Sequence, residues 1–422
     1  MKIRIRRKKL PEWLLLYIWI MPFALPFLLE LLHLPSIIKY TLDVAWIILL
    51  FAMEINRIRI PNVQVNTLIK IVTLFFGISI IGFLMNYQSI LYYLWGFRNN
   101  FRFYVFFLAC ILYLSPTSSE KCLSSIDTFF WINFPLVLLQ YFVLHKKQDF
   151  VGGIFGTQAG CNGYLNIFLS IVVTKSILYF LNKKEKQSVC LMKCCAALFA
   201  AVLSELKIFF IEFLLIIFLI MFLSKFSVRK FTVITLCAVG IVIGAKMISV
   251  LFPDFSGWFS IDGILKIIGS ERGYTSRNDM NRLNAVAYAM DNFLPSFKDK
   301  IIGLGLGNCD YATFDFLTTP FHRVYGWTNY GWFSSAFLIL ETGFAGLIAY
   351  ISFFVVLYFG ADKLEKTAQA NMLYCQLARV MAVLSVLMVI YNAALRTEAA
   401  YMMYFVLSLP FIKHQNTNAV SA

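Results

Sequence analysis

An all-α fold is predicted, polytopic in a membrane, with about twelve transmembrane helices and one long extracytoplasmic loop carrying short helices. Three observations predict it. Of 422 residues, 60% are apolar and 14% charged, against about 45–50% and about 25% in soluble domains. The apolar residues gather in runs of roughly 20, the length a bilayer core demands. The formal charge of +15, from 37 Lys and Arg against 22 Asp and Glu, is unevenly shared between the segments joining those runs. These figures exclude a water-soluble enzyme, a disordered chain, collagen and a disulfide scaffold. Over runs of that length, helices rather than a barrel satisfy the backbone in lipid.

The stretch MKIRIRRKKL places six basic residues ahead of the first run, 13–32. That run is too long for a signal-peptide core and lacks a small-x-small cleavage site, so it reads as an uncleaved helix kinked at Pro22 and Pro26. Further runs follow at 36–53, 68–86, 101–115, 124–144, 161–181, 189–204, 208–224, 231–251, 334–359, 375–395 and 399–412. The chain then divides into helices 1–9 (residues 1–251), a loop (252–333), and helices 10–12 with a tail (334–422).

Charge orients the spans. Segments 1–12, 54–67, 116–123, 182–188, 225–230, 360–374 and the tail hold 18 Lys and Arg. The short loops on the other side hold five: Arg98, Lys146, Lys147, Lys207 and Arg396. Basic residues accumulate on the cytoplasmic side, so both termini are expected there and the long loop outside. The basic excess is therefore topological: membrane lipids are expected as partners, and nucleic acid is not. Nine Cys without a CxxC read as small buried hydrophobes, with Cys161 and Cys309 alone near aqueous loops. No internal repeat relates the two halves, which weighs against an inverted-repeat transporter.

Ionisable groups in or beside membrane segments are candidate functional groups, because lipid makes them costly. They gather at the predicted outer turns: Glu205 and Lys207 in SELKIFF, Arg396 and Glu398 in ALRTEAA, and Arg98 and Arg102 in GFRNNFRF. The long loop adds Glu271, Arg272, Arg277 and Arg282 in SERGYTSRNDMNRLN, and His322 and Arg323 in FHRVYGW. Any one Arg near a helix end can simply snorkel to headgroups. Four outer turns that each pair charges point instead to a shared site. Guanidinium is always charged and meets phosphate oxygens two at a time, so these arginines suit a lipid-linked diphosphate and its developing charge as it leaves.

From Ser276 to Phe293 the loop reads as a helix, with Leu283, Val286, Ala287, Met290 and Leu294 at helical spacing and Pro295 stopping it. Arg277 then falls at the helix start. GLGLGN at 303–308 lacks dinucleotide-fingerprint spacing and follows no βαβ pattern, so its glycines are expected in a tight turn approached closely by other backbone. No DxD, HExxH, Walker A or serine nucleophile elbow occurs, and four scattered His do not form a metal centre.

The stretch GYTSRNDMNRLNAVAYAMDNF, then IIGLGLGNCDYATF, then WTNYGWFSSAFLILETGFAGLIAYI resembles the signature region of the O-antigen polymerase and ligase superfamily. In that family an Arg-bearing outer loop leads to a G-x-G-x-G turn, an aromatic and Asn segment, and E-x-G-x-x-G opening the next span. Here these are Arg272, Arg277 and Arg282; Gly303, Gly305 and Gly307; Asn329; and Glu341, Gly343 and Gly346. SELKIFF resembles a segment of the capsule-type polymerases. The likeness covers about 260–350 and 204–212.

The resemblance implies a glycosyltransferase of the bacterial cytoplasmic membrane, without metal, nucleotide or other cofactor. It would polymerise polyprenyl-diphosphate-linked oligosaccharide repeats into O-antigen or capsular polysaccharide at the outer leaflet, with a chain-length regulator and a flippase as prospective partners. Arg98, Lys207, Arg272, Arg277, Arg282, Arg323 and Arg396 would hold diphosphates. Glu205, Glu271, His322 and Glu398 are the candidates for the base that activates the acceptor hydroxyl. Many ligases of the family have His directly before the later Asn, whereas Thr328 precedes Asn329 here, and His322 could replace it only if the loop folds back. A ligase, or a flippase of the same lipids, is the alternative reading.

Overall fold

The computed structural model describes residues 2–56, 63–223, 280–282, 284–367 and 371–412, with isolated positions 235, 242, 246 and 250. Among them no strand occurs. Seven helices among the described residues are long and apolar enough to cross a membrane, and two shorter apolar ones, Gln187–Leu203 and Ala400–Phe411, pack beside them. The expected ninth span, 231–251, falls almost wholly outside the described residues.

The elements follow the apolar runs. They are α1 (Lys2–Pro26, continuing into a wide turn at Phe27–Leu31), α2 (Thr41–Asn56), α3 (Val63–Met85), α4 (Ile90–Tyr113) and α5 (Pro116–Leu138). After these come α6 (Cys161–Leu181), α7 (Gln187–Leu203) and α8 (Lys207–Leu223). The loop contributes α9 (Ala285–Phe293), α10 (Phe297–Ile302) and α11 (Pro320–Tyr325), and the chain closes with α12 (Ser334–Glu365), α13 (Met372–Tyr391) and α14 (Ala400–Ser408). Helix α9 starts at Ala285, not at Ser276, so Arg282 precedes it; Arg277 lies outside the described residues.

Polar contacts sort into two ends, as alternating spans require. At one end Glu12 accepts from Ser118, and Lys193 meets Asp127. At the other, Asn86 reaches Gly303, Thr157 reaches Glu30, and Arg98 meets Asp43. The second is called the loop end here, since residues 280–333 cover it.

Two features let polar backbone descend from the loop end into the bundle. Helix α12 breaks at Gly343 (φ 63°, ψ −168°). The carbonyls this frees at Leu340 and Glu341 accept from Leu304 N (2.8 Å) and Gly305 N (3.0 Å), so the 303–310 turn is hydrogen-bonded into the broken helix. Gly303, Gly305 and Gly307 all have positive φ, and a Cβ on Gly307 would collide with the backbone of Tyr92 and Gly96. The expected close approach is thus made against α4.

The second feature is α14. It is nine residues long, and every side chain in it is buried. It packs on α4, α13, α6 and α1. Being half a span, it leaves the preceding turn, 392–399, recessed inside the bundle. Arg102, which pairs with Glu398 in that turn, sits about 18 Å along α4 from its first residue at 1.5 Å per residue.

Candidate functional site

The placement of Arg98 and Arg102 in an outer turn is corrected: both lie well inside α4. Helix α4 begins eleven residues before the apolar run at 101–115, because carboxylates meet the charges that interrupt its hydropathy. Arg98 donates from Nε and Nη2 to both oxygens of Asp43 at 2.8 Å each, the bidentate form. Its guanidinium also lies over the rings of Trp95 (4.8 Å) and Tyr40 (5.6 Å). Arg102 donates to Glu398 Oε1 (3.2 Å) and to the Arg396 carbonyl (3.5 Å). Tyr164 OH fills Glu398 Oε2 at 2.8 Å. Burial would raise the Glu398 carboxyl, but Arg102 beside it, helped by Tyr164, holds it down to about 2. Held this low, Glu398 is a weak proton acceptor, and in this geometry it anchors Arg102.

Arg396 differs. Its guanidinium carbon stands 3.1 Å from the centre of the Phe337 ring. Its nearest carboxylate contact is loose, Nη2 to Asp310 Oδ1 at 3.8 Å, and among the described residues its buried Nε, like that of Arg102, has no hydrogen-bond partner. Buried guanidinium donors are normally satisfied.

Asp310 ends the glycine turn. Its Oδ2 accepts from Asn99 Nδ2 and its Oδ1 from Tyr311 N at 3.1 Å. Burial pushes this carboxyl above its usual range, while Arg396, Asn99 and Arg98 pull it down. Beneath it, Glu341 Oε1 accepts from Cys309 N (3.2 Å), and among the described residues Oε2 has no hydrogen-bond partner. The Thr319 backbone N–H and hydroxyl both donate to the Asp310 carbonyl at 3.1 Å, which fixes the turn.

His322 does fold back. Its Nδ1 lies 3.0 Å from Tyr330 OH, beside Asn329, and its ring stacks on Tyr311 (centroids 4.9 Å). Tyr330 OH donates its one hydrogen to the Cys309 carbonyl, so Nδ1–H is the donor to Tyr330 and the Nε2 lone pair remains. Burial lowers this imidazole, with Asp310 opposing.

The remaining candidates separate. Glu205, in the α7–α8 turn with φ 50°, is raised by burial and influenced by Lys207 and Asp149. Lys207 in turn feels Glu205, Arg282 and Asp149. Arg282 donates to Tyr391 OH, with its guanidinium 4.1 Å from that ring, so these residues form a second group at the tip of α13. Arg323 pairs with Asp315 at 2.8 Å on the surface, away from either group. Glu271, Arg272 and Arg277 lie outside the described residues.

Asp43, Asn99, Tyr164 and Asp310 are not among the residues singled out by sequence, nor is Glu212, which accepts from Asn166 (3.0 Å) and Ser170 (2.8 Å) in the core. The signal for Asp43 and Glu212 was present: each is an ionisable residue inside an apolar run. Among the described residues no three His, Cys, Asp or Glu gather as a metal-binding group. No protein-family model matches the chain, and no curated protein matches it.

Proposed function

We propose that the protein is a metal-independent glycosyltransferase that polymerises polyprenyl-diphosphate-linked oligosaccharide repeats into O-antigen or capsular polysaccharide at the outer face of the bacterial cytoplasmic membrane. One observation carries the reading: Arg396, recessed at the loop end, keeps guanidinium donors with no carboxylate in direct hydrogen-bond contact. A cation so placed meets an anion entering from the membrane–water boundary. A diphosphate on a lipid tail has its charge at that depth and its chain in the hydrocarbon. Arg98 and Arg102, neutralised by Asp43 and Glu398, hold the surrounding turn in place, while Lys207 and Arg282 lie toward the rim for a second lipid-linked substrate. The leaving diphosphate gains negative charge as the glycosidic bond breaks, and a preorganised Arg396 stabilises that charge.

A ligase, which passes finished glycan to a different acceptor, is the second reading; the fold-back of His322 against Tyr330 favours it. The test is the glycan profile of a strain lacking the protein, complemented with wild type or Arg396→Gln. A polymerase leaves single repeats on the carrier in the deletion and variant strains and long chains with wild type. Long unattached chains on the carrier mean ligase. Absence of any external repeat means flippase and overturns the proposal, as does normal elongation by the variant.

A further inference from the structure

We infer that Asp310 is the catalytic base for the acceptor hydroxyl, and that the donor diphosphate switches it on by taking Arg396 away from it. This rests on the polymerase reading. The geometry is a carboxylate and a guanidinium 3.8 Å apart, too far for a good hydrogen bond, each with capacity left for another partner. Asp310 is 4% exposed and held from three sides by Asn99, Tyr311 N and the Thr319 clasp on its carbonyl, so it is positioned rather than mobile.

Charged and titratable groups face Asp310 from several elements. From α4 come Asn99 and Arg98, whose own charge is answered by Asp43. The turn before α14 contributes Arg396, and α12 contributes Glu341. From α11 comes His322, with Cys309 and Tyr330 beside the turn. Of these, Arg396 is the cation whose bonding is incomplete. When a diphosphate neutralises it, Asp310 keeps the desolvation that favours its proton and the nearby Glu341 carboxyl, and loses its main attraction to a positive charge. Its affinity for a proton therefore rises when the donor is in place.

The chemical step balances on these groups. The acceptor O–H bond breaks and its proton passes to Asp310. The acceptor oxygen forms a bond to the anomeric carbon of the donor glycan, and the anomeric C–O bond to the diphosphate breaks. The electron pair leaves on the diphosphate oxygen against Arg396. Asp310 then returns its proton to the departing diphosphate or to water. A base that strengthens only when the leaving group is seated gives little chance for water or a lone acceptor to react.

The experiment needs no knowledge of the sugars. Farnesyl diphosphate is titrated calorimetrically into the full-length protein in lipid nanodiscs, in buffers of different ionisation enthalpy, between pH about 5 and about 8. Wild type is expected to take up as much as ~1 proton per diphosphate bound toward the acid end of that range, beyond the ligand's own titration, and none toward the alkaline end, where Asp310 stays ionised with the donor seated and can act as base. Asp310→Asn should bind and lose that uptake; Asn99→Ala, which removes one bond to the carboxylate, should keep it and move it to higher pH. Arg396→Gln should weaken binding at least ~10-fold, as loss of a charge-assisted bond requires. Equal proton uptake by wild type and Asp310→Asn overturns this inference and leaves the polymerase reading standing. No binding by wild type, or binding indifferent to Arg396→Gln, removes the diphosphate site on which both depend.

Discussion

The two ends of the bundle bury their cations in different ways. At the end away from the loop, Lys175 and Lys193 are 1% and 3% exposed and share Asp127 at 2.7 and 2.9 Å. Lys175 also donates to the Leu123 carbonyl (2.7 Å), and Lys193 to Glu185 (2.7 Å). Arg379 at the same end is spread over Glu365, Asp362 and Tyr358, with Nε left over. Two ammoniums face two carboxylates, tying α5, α6 and α7 together. Among the described residues the loop end repeats close carboxylate contact in Arg98–Asp43 and Arg102–Glu398, the Arg102 Nε again left over, and departs from it in Arg396–Asp310, where the contact loosens to 3.8 Å. A cation with a carboxylate at hydrogen-bond distance is a fastening; one without such a contact can bind an anion.

That contrast is most open to attack at the fastenings. Asp127→Asn would remove the negative charge that two buried ammoniums share and leave one acceptor oxygen where there were two, for an expected loss of about 5 kcal/mol, the upper end for breaking a buried pair. Thermal unfolding in detergent should show it as loss of folded protein, and a variant as stable as wild type would end the structural reading of that end.

Glu398→Gln should cost less, about 3 kcal/mol, because Arg102 keeps the Arg396 carbonyl and the Phe103 and Tyr401 rings. Its pH signature is specific. The Glu398 carboxyl sits at about 2 in the folded protein, below the ordinary unfolded value of about 4.3. A depressed carboxyl contributes stability that is complete above the unfolded value and is lost as pH falls toward the folded one. Wild type should therefore lose stability between pH about 4.3 and about 2, and Glu398→Gln should lack that part of the acid limb. Matching acid profiles for the two proteins would show that Arg102 does not hold the carboxyl down.

The smallest effect on stability is expected at Arg396. Arg396→Gln breaks no close ion pair, so unfolding should shift by about 1 kcal/mol or less, while the diphosphate affinity falls. A large loss of stability with unchanged binding would make this residue one more fastening and erase the distinction.

Much of the site was visible in sequence as a list of residues, and less of it as a set of partners. Arg396 and Glu398 stand out as charged residues between two apolar runs, His322 as the histidine of the long loop, and the glycine turn as one that other backbone must approach closely. No local pattern reveals that Arg102 and Tyr164 occupy the Glu398 carboxylate. Asp310 follows a glycine turn with nothing nearby in sequence to mark it. Arg98 was assigned to a turn because hydropathy treats a charge as an interruption, whereas Asp43 lets the helix continue through it.

Composition and run length by themselves determined that this chain is helical and built for a membrane, and the order in which its helices follow one another. Those properties are local: each depends on the transfer cost of neighbouring residues and on backbone bonds a few positions apart. Which arginine is closed and which stays open was decided only by tertiary structure. Arg102 and Glu398 are 296 positions apart, and their meeting depends on the break in α12, the half length of α14, and the depth to which both draw the loop-end turns. An ion pair is set by distance and burial, and neither exists until the helices have packed.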